Sequence, residues 1–589
     1  MKKASVEDVV WNLHDLYGGP GDSAMEDDRQ WCRDQALALS RYRGKLQTLS
    51  PEQLLKAVVS LENLNERAQK LLAFAYLFFA TQTQESSASA LFQAQKEFYS
   101  ELHSETLFFE LEWAKMDDNR AQALLSDPVL LPYRHYLVAL RRYRPHLLSE
   151  PEERILAEKE PAGASAWNAL FDKVLSQLRF GQKKRTESEV LTDLYHPDRQ
   201  VRKDAAMELT EGLDTVVPTL NHIFNTILLD KSIDDRLRNY PNWLSARNLS
   251  NEADDAMVEA LVRAVSSHYG LVERYYHLKR GLLGFDELFD YDRYAPVPGL
   301  PQTTFSWDEA RDIVLSAYRD FSPRMAEIAH EFFEKNWIHA PVLPGKRSGA
   351  FAHPAVPSSH PYVLVNFTGK HRDIMTLAHE LGHGVHQYLA RKQGLFNGDT
   401  PLTTAESASV FGEMLVFRHI LKGMANPVER RALLCSKIEG IFATVFRQVS
   451  MNRFEDAVHN ARRTRGELDN DFIGSEWYET QRAMFGDSVH LLDHYRTWWA
   501  YIPHFLHSPG YVYAYAFGEL LVLALYEQYL QKGTEFVPMY LEFLESGGKA
   551  SPGELLHPFG INLSDPEFWM QGIKTIETLL EEAEQETVP

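Results

Sequence analysis

Apolar residues recur every three or four positions over most of the chain, which is the period of an amphipathic α-helix. Prolines and glycines separate the periodic segments, and some segments begin with a helix-capping residue, such as Ser50 before Pro51. The pattern therefore predicts a mainly α-helical protein. The segments with the clearest period are 52–80, 88–115, 165–178, 253–283 and 306–336.

Residues 337–370 have a different pattern. Prolines and glycines punctuate this stretch, and β-branched and aromatic residues are frequent at its end. We expect a small β-sheet here, with short strands near Gly349–His353 and Tyr362–Phe367.

The composition limits the classes of partner. A formal net charge of -21 disfavours a nucleic-acid or anionic-membrane surface. The two cysteines, Cys32 and Cys435, are too few for a disulfide framework and fit a reducing compartment. No apolar signal segment follows Met1, and the apolar runs are far shorter than the ~20 residues that cross a bilayer. We therefore expect a cytoplasmic protein.

The strongest chemical signal is the HExxH sequence at residues 379–383. On a helix, His379 and His383 lie about 40° apart around the axis and roughly 6 Å apart along it, so both imidazoles can bind one zinc ion. Glu380 is turned about 100° from His379, where it can act as a general base. Because a chain with 23 histidines contains this sequence by accident in about one case in ten, the motif needs support from its surroundings.

The flanking residues favour a helix with one packed face and one open face. Gly382 and Gly384 each lower helix stability by about 1 kcal/mol relative to alanine, and we expect them to permit the close approach of a neighbouring element. The apolar positions lie roughly opposite the two histidines. They are Ile374, Leu377, Ala378, Leu381, Val385 and Leu389.

A catalytic zinc site needs a third protein ligand. His386 and Leu389 stand where a metzincin requires Gly and His, which excludes that class. His386 lies about 10 Å along the axis from His379, an awkward position for a third ligand on one straight helix. Glu406 is the better candidate, since it follows a capping pair at 403–404 and is surrounded by small residues. The alternative is a first-turn glutamate that the helix dipole stabilises.

Several segments match one known family in the same order. They are HELGHGVH at 379–386, AESASVFGE around Glu406 and Glu413, KRSGAFAHP with PYVLVNFTGKHRD before the helix, YYHLKRGLLGFDELFDYDRYAPVP, and the tyrosine-rich segment 501–518. Together they resemble the oligoendopeptidase F branch of the thimet-oligopeptidase family. The resemblance covers nearly the whole chain.

This resemblance implies two helical lobes that flank a deep substrate channel, with zinc on its floor and a small sheet along the cleft. It implies a zinc endopeptidase for short unstructured oligopeptides. His379, His383 and Glu406 then hold one Zn²⁺ per chain, Glu380 is the general base, and Glu413 orients a ligand histidine.

The length of 589 residues exceeds the ~250–300 that one hydrophobic core usually fills, so at least two lobes are expected. We place a boundary near 185–200. It divides the chain into an N-terminal helical lobe, 1–190, and a catalytic metallopeptidase domain, 191–589.

The family has a histidine followed by a tyrosine-rich helix start, which implies that His504 and Tyr511 face the zinc and the scissile carbonyl. A phenol O–H there donates to the developing oxyanion. The spacing is one residue longer than in the family, so His507 and Tyr513 remain alternatives. On a helix, Tyr511 and Tyr515 share a face, and we expect Tyr515 to contact substrate. Aromatic core packing is the competing interpretation.

An edge strand at Gly349, Ala350 and Phe351 is expected to bind the peptide backbone by strand addition. Two other classes compete with the peptidase interpretation: a non-catalytic helical scaffold that binds no metal, and a zinc hydrolase that acts on another substrate. Cobalt or manganese also binds nitrogen and oxygen ligands. The sequence determines neither the oligomeric state nor the preferred cleavage position.

Overall fold

The structure, a computed structural model, describes residues 5–300 and 303–586. Helices make up 72% of the chain, and the named strands of the described residues form one three-stranded sheet. The predicted mainly α-helical fold with a small sheet before the HExxH helix is therefore confirmed.

Up to residue 300 the α-helices are α1 (Ser23–Leu39), α2 (Pro51–Ala80), α3 (Ser86–Lys115), α4 (Asp118–Leu125), α5 (Arg134–Arg142), α6 (Glu150–Lys159), α7 (Ala164–Gln177), α8 (Glu187–Asp193), α9 (Arg199–Asp214), α10 (Val217–Leu237), α11 (Ser245–Ser250), α12 (Asp255–Ser266) and α13 (Gly270–Leu283). From residue 303 they are α14 (Trp307–Phe321), α15 (Pro323–Glu334), α16 (His371–Ala390), α17 (Gly394–Gly398), α18 (Leu402–Ala405), α19 (Ser409–Gly423), α20 (Pro427–Thr444), α21 (Phe446–Arg465), α22 (Asn470–Phe485), α23 (His504–His507), α24 (Tyr513–Lys532), α25 (Phe536–Glu545), α26 (Pro552–Leu556) and α27 (Pro566–Gln585).

Two predicted helical segments are each split in two. Residues 306–336 form α14 and α15, which meet where Ser322 accepts the N–H of Met325 and Pro323 takes the first helical position. Residues 253–283 form α12 and α13, although no side chain caps the start of α13. The apolar period continues across both breaks, so the pattern alone joins neighbouring helices.

The helices form two compact units, each assembled from three separate stretches of chain. The first unit contains residues 1–144, 302–423 and 528–561, and the second contains 145–301, 424–527 and 562–589. The prediction of two or more lobes agrees with this count. The predicted division at 190 cuts the chain at one point, whereas each unit here combines three stretches. Helical periodicity does not indicate which helices pack together, so it could not predict this arrangement.

The core of the first unit supports the small sheet. Helix α2 packs against α1 and α3, and Phe74 and Trp113 are buried between them. The indole N–H of Trp113 donates to the carbonyl of Leu137 at 2.7 Å. Tyr362 and Leu364 belong to the same core, and burying one such large apolar side chain contributes about 1.5–3 kcal/mol. This anchors the sheet on the N-terminal helices.

The sheet has three short strands, β1 (Ile338–His339), β2 (Phe351–His353) and β3 (Tyr362–Leu364). The central strand is β3, which runs parallel to β1 and antiparallel to β2. Val363 is opposite Ile338 on one side and Ala352 on the other. Within the described residues β2 has no second neighbouring strand, so it is an edge.

The two predicted strands are confirmed as β2 and β3, although both are shorter than predicted. Strand β1 was not predicted, because two residues carry no periodicity. None of the described helices is long and apolar enough to cross a membrane. Cys32 and Cys435 are both buried and carry free thiols.

Candidate metal centre

Helix α16 carries the HExxH motif, as predicted. The six apolar positions opposite the histidines are at most 1% exposed. Because that face is packed, the ligand face is the accessible one, and the side chains of His379 and His383 are 28% and 19% exposed.

Glu406 lies between two helices. It follows α18 and precedes α19. The prediction that Thr403 and Thr404 cap its helix is wrong, since α18 begins directly after Pro401 and both threonines are inside it. The break between α18 and α19 leaves Glu406 outside regular helix, and Ser409 orients its carboxylate by donating to Oε2 at 2.6 Å.

The three candidate ligands converge. Nε2 of His379 lies 3.3 Å from Oε2 of Glu406, and Nε2 of His383 lies 3.4 Å from the same oxygen. All three ligand atoms lie within 4.8 Å of one another. A tetrahedral zinc ion with bonds of about 2.1 Å holds its ligand atoms about 3.4 Å apart. The donor set and its spacing therefore fit a zinc ion and leave a fourth position for water or substrate.

Gly382 makes this convergence possible. A Cβ atom there would lie 2.4 Å from the carbonyl oxygen of Ala408 and 2.6 Å from Cα of Ser409, closer than such atoms approach. The expected close approach of a neighbouring element is thus the approach of the Glu406 segment to α16. Gly384 leaves room for the ring of Phe332 in the same manner, since a Cβ atom there would lie 2.7 Å from that ring.

Two buried side chains form hydrogen bonds to the backbone on either side of Glu406. The sequence patterns indicated neither of these contacts. His386 is 4% exposed and hydrogen-bonds to the backbone of Ala405, outside the ligand cluster. Burial, with the charge of His383, lowers the pKa of His386 to about 4, so it is neutral. The hydroxyl of Tyr540 donates to the carbonyl of Ser407 at 2.7 Å. Tyr540 is distant in sequence, so no local motif could identify it.

The electrostatics of the cluster favour a cation. Burial lowers the pKa of His379, but hydrogen bonding to Glu413 and the charge of Glu406 outweigh this and raise it to about 9. Burial raises the pKa of Glu406, but His383 and His379 outweigh this and lower it to about 2. Nδ1 of His379 lies 3.4 Å from Oε2 of Glu413, on the side of the ring away from Glu406. The carboxylates surround two imidazoles, so a divalent ion would neutralise excess negative charge.

Glu380 lies beside the ligands without belonging to the cluster. It is 8% exposed, and burial raises the pKa of its carboxyl group. The backbone N–H of Ala352 donates to this carboxylate. The edge strand β2 is therefore in hydrogen-bond contact with the candidate general base.

The predicted substrate-binding residues Gly349 and Ala350 precede β2, and Phe351 is its first residue. The side-chain amide of Asn366 donates to the carbonyl of Gly349 at 2.8 Å. The ring of Phe351 packs on Tyr76, with centroids 5.4 Å apart. These contacts occupy the turn and the aromatic side chain, whereas the edge of β2 that faces away from β3 has no neighbouring strand among the described residues.

The tyrosine-rich segment belongs to the second compact unit. The Nε2 atom of His504 lies 3.1 Å from the hydroxyl of Tyr515, and the rings of Tyr511 and Tyr515 are 5.1 Å apart. The alternatives are engaged elsewhere. Tyr513 is fully buried and accepts a hydrogen bond from Asn251 at 2.9 Å, and His507 lies 2.9 Å from Asp172. His504, Tyr511 and Tyr515 thus form one partly exposed cluster.

A second group with metal-binding residue types, Glu273, His277 and Asp487, lies on the surface of the second unit. Nε2 of His277 is 3.2 Å from Asp487 and 4.0 Å from Glu273. The side chain of Asp487 is 83% exposed. This group contains no buried carboxylate comparable to Glu380, which lies beside His379. The α16 cluster is the better candidate for a catalytic metal.

Comparison with protein families gives two matches. The sequence model of peptidase family M3 matches residues 193–575, and the oligopeptidase F model matches residues 112–180. The matches fall on either side of 190, whereas the compact units do not divide there. The division at 190 stays a prediction.

Related proteins and structures have similar lengths. The chain is 28% identical to oligopeptidase PepF of Bacillus subtilis, over 98% of this chain and 87% of that protein. It is 26% identical to group B oligopeptidase PepB of Streptococcus agalactiae, over 91% and 90%. A solved structure from Chlamydophila abortus superposes with a TM-score of 0.88 at 24% identity, covering 100% of both chains. Oligoendopeptidase-F of Enterococcus faecium gives 0.72 at 21% identity, covering 96% of this chain and 99% of that chain.

Proposed function

The chain belongs to peptidase family M3, as its resemblance predicted, and on that premise we propose that it is a zinc-dependent endopeptidase for short unstructured oligopeptides. The observation that carries the proposal is the convergence of His379 Nε2, His383 Nε2 and Glu406 Oε2 beside the buried carboxyl group of Glu380. The substrate class follows the names of the relatives, which are oligopeptidases.

In the proposed mechanism, His379, His383 and Glu406 would hold one zinc ion, and Glu413 orients the ring of His379. The chemistry that such an ion would supply is polarisation of the scissile carbonyl and a lower pKa of water. Glu380 accepts the proton of the attacking water and delivers it to the leaving amine. Its raised pKa suits both halves of this transfer, since a base of intermediate strength also returns the proton.

Tyr511, assisted by His504, donates a hydrogen bond to the oxyanion that forms on the scissile carbonyl. Tyr515 contacts the substrate and lies 3.1 Å from His504, so it also orients that imidazole. The open edge of β2 binds the peptide backbone, a grip that does not depend on sequence. We place the enzyme in the cytoplasm, because two free, buried thiols fit a reducing compartment.

The decisive experiment compares the wild type with Glu380→Gln. Both proteins are assayed on an internally quenched peptide of about ten residues, and zinc is quantified in both preparations. We expect stoichiometric zinc in both proteins and cleavage by the wild type alone.

Bound zinc without cleavage of a peptide library would point to another substrate class. If neither zinc nor cleavage appeared after reconstitution with zinc, the chain would be a non-catalytic scaffold. Cleavage by Glu380→Gln at the wild-type rate would remove Glu380 as the base.

A further inference from the structure

The second compact unit contains one buried and one half-buried guanidinium group that have no carboxylate partner among the described residues. Arg293 is 4% exposed and donates through Nη1 to the hydroxyl of Tyr495. Arg447 is half-buried and donates through Nη1 to the hydroxyl of Tyr294 at 2.7 Å. Among the described residues neither arginine forms an ion pair, whereas the buried Arg202 pairs with a carboxylate at 2.8 Å.

Both guanidinium groups also keep an unused donor. The Nε–H groups of Arg293 and Arg447 are buried and have no hydrogen-bond acceptor. A buried charge without a counter-ion and a buried donor without an acceptor are both unfavourable. A bound anion would compensate both, because it supplies a counter-charge and hydrogen-bond acceptors.

The two arginines face one phenol, so their charges act at the same place. The guanidinium carbon of Arg293 lies 4.5 Å from the ring centroid of Tyr294, and Arg447 donates to the hydroxyl of that ring. Burial raises the pKa of Tyr294, but the two guanidinium groups outweigh it and lower the pKa below its usual value. A shift of that direction in a buried tyrosine indicates a strongly positive local potential.

A neighbouring basic group, Lys279, already has a carboxylate partner, so it does not compete for the missing counter-charge of the two arginines. Lys279 donates to Glu439 at 2.5 Å and to the backbone carbonyl of Arg293 at 2.7 Å. Tyr275 also donates to Glu439 at 2.5 Å. The carboxylate of Glu439 is therefore committed to Lys279 and Tyr275, and the charges of Arg293 and Arg447 remain.

The site opens to solvent near the residues proposed to stabilise the oxyanion. Tyr294, Arg447 and His504 are each partly exposed. The helices that carry Arg447 and His504, α21 and α23, pack against each other through Phe454 and Phe505, whose ring centroids are 5.0 Å apart. Burial lowers the pKa of His504, and the charges of His507 and Arg447 lower it further. The ring of Tyr195 stacks on the ring of Tyr294, with centroids 4.7 Å apart, and covers one face of it.

We propose that Arg447, with the charge of Arg293 beside it, forms a subsite that binds a carboxylate group of the peptide substrate near His504. A guanidinium fork matches a carboxylate in geometry, and the bond is charge-assisted on both sides. The inference rests on the proposed function, because its ligand is the peptide. The carboxylate is either the C-terminus of the peptide or an aspartate or glutamate side chain.

The test uses the zinc-loaded full chain and two sets of matched, internally quenched decapeptides. In the first set, the two peptides differ only in ending as an acid or as an amide. In the second set, the two peptides of each pair differ only in having Asp or Asn at one position, and this position is moved along the peptide. We expect kcat/KM to be higher by about tenfold or more for the member with the carboxylate, through a lower KM. The pair that shows the difference identifies the source of the carboxylate.

The variants assign the preference to the subsite. Arg447→Gln should reduce the acid-to-neutral ratio of kcat/KM to about 1, whereas Arg447→Lys should keep part of it because the charge remains. Tyr294→Phe should keep or increase the ratio, since both guanidinium groups remain and the competing phenol is removed. Arg263→Gln is the matched control, because Arg263 is exposed on α12 and pairs only with Glu259 there; it should keep the wild-type ratio.

The inference would be overturned if the wild type had equal kcat/KM for the acidic and the neutral peptide of every pair. It would also be overturned if Arg447→Gln kept the acid-to-neutral ratio of the wild type. If Arg447→Gln fails to fold by circular dichroism, Arg447→Lys still decides, because a ratio equal to that of the wild type in this variant would also overturn the inference. Binding of labelled acid and amide peptides to zinc-loaded Glu380→Gln gives the same ratio without turnover. Failure of the proposed function has a different signature, in which no peptide is cleaved although zinc is bound.

Discussion

Glu413 Oε2 lies 3.4 Å from Nδ1 of His379, while Nε2 of the same ring lies 3.3 Å from Glu406. The imidazole therefore contacts a carboxylate at each nitrogen, and each carboxylate has a different task. A carboxylate at Nδ1 fixes the tautomer in which Nε2 carries the lone pair, and it makes that nitrogen a stronger ligand. In the proposed zinc site, Glu413 would thus strengthen metal binding without touching the metal.

Glu413→Gln should weaken zinc binding by about 10–100-fold, because the amide cannot provide the negative charge behind His379. Competition with a chelator of known affinity measures the effect. Glu327→Gln on α15 is the control, since Glu327 is exposed and should keep the wild-type affinity. Equal affinity in the wild type and Glu413→Gln would contradict the positioning role.

Gly382→Ala should displace the Glu406 segment from α16. The added Cβ would lie 2.4 Å from the backbone carbonyl oxygen of Ala408, and backbone cannot move aside as a flexible side chain can. We expect a loss of stability of about 1–3 kcal/mol in thermal or urea unfolding, together with reduced zinc content. Gly440→Ala in α20 is the matched control, because its Cβ meets nothing within 4 Å. It should leave stability unchanged or increase it by up to about 1 kcal/mol.

The features that depend only on residues close together in the sequence were predicted correctly. The apolar stripe of α16, the strand at Tyr362 and the use of Gly382 for a close approach all followed from spacing and residue type, and the structure agrees. Contacts between distant segments did not follow, such as the hydroxyl of Tyr540 on the carbonyl of Ser407. Nor did the break before α19, because the break depends on packing that single-sequence periodicity does not record.

Tyr511→Phe should lower kcat by about 10²–10³-fold with little change in KM or zinc content, since in the proposed mechanism the phenol donates to the oxyanion and not to bound substrate. Tyr513→Phe is the contrasting variant. Its hydroxyl is buried and accepts from Asn251, so the loss should appear as about 1–3 kcal/mol of stability while kcat is retained. Steady-state kinetics and unfolding of both variants decide between them. A drop in kcat for Tyr513→Phe alone would exchange the two assignments.

The location of the metal can be tested with two histidines that each lie in a group of three metal-binding residue types. His383→Ala removes one of the three converging donors at α16, and we expect it to lose both the single zinc ion and peptide cleavage. His277→Ala removes the only nitrogen of the surface group, where the side chain is 40% exposed. It should keep one zinc ion per chain, full cleavage and stability within about 0.5 kcal/mol of the wild type, as surface substitutions usually do.

Zinc is quantified by mass spectrometry after exhaustive dialysis, and cleavage is measured on the same samples. Zinc retained by His383→Ala but lost from His277→Ala would place the tightly bound metal at the surface group and remove the premise of the proposed mechanism.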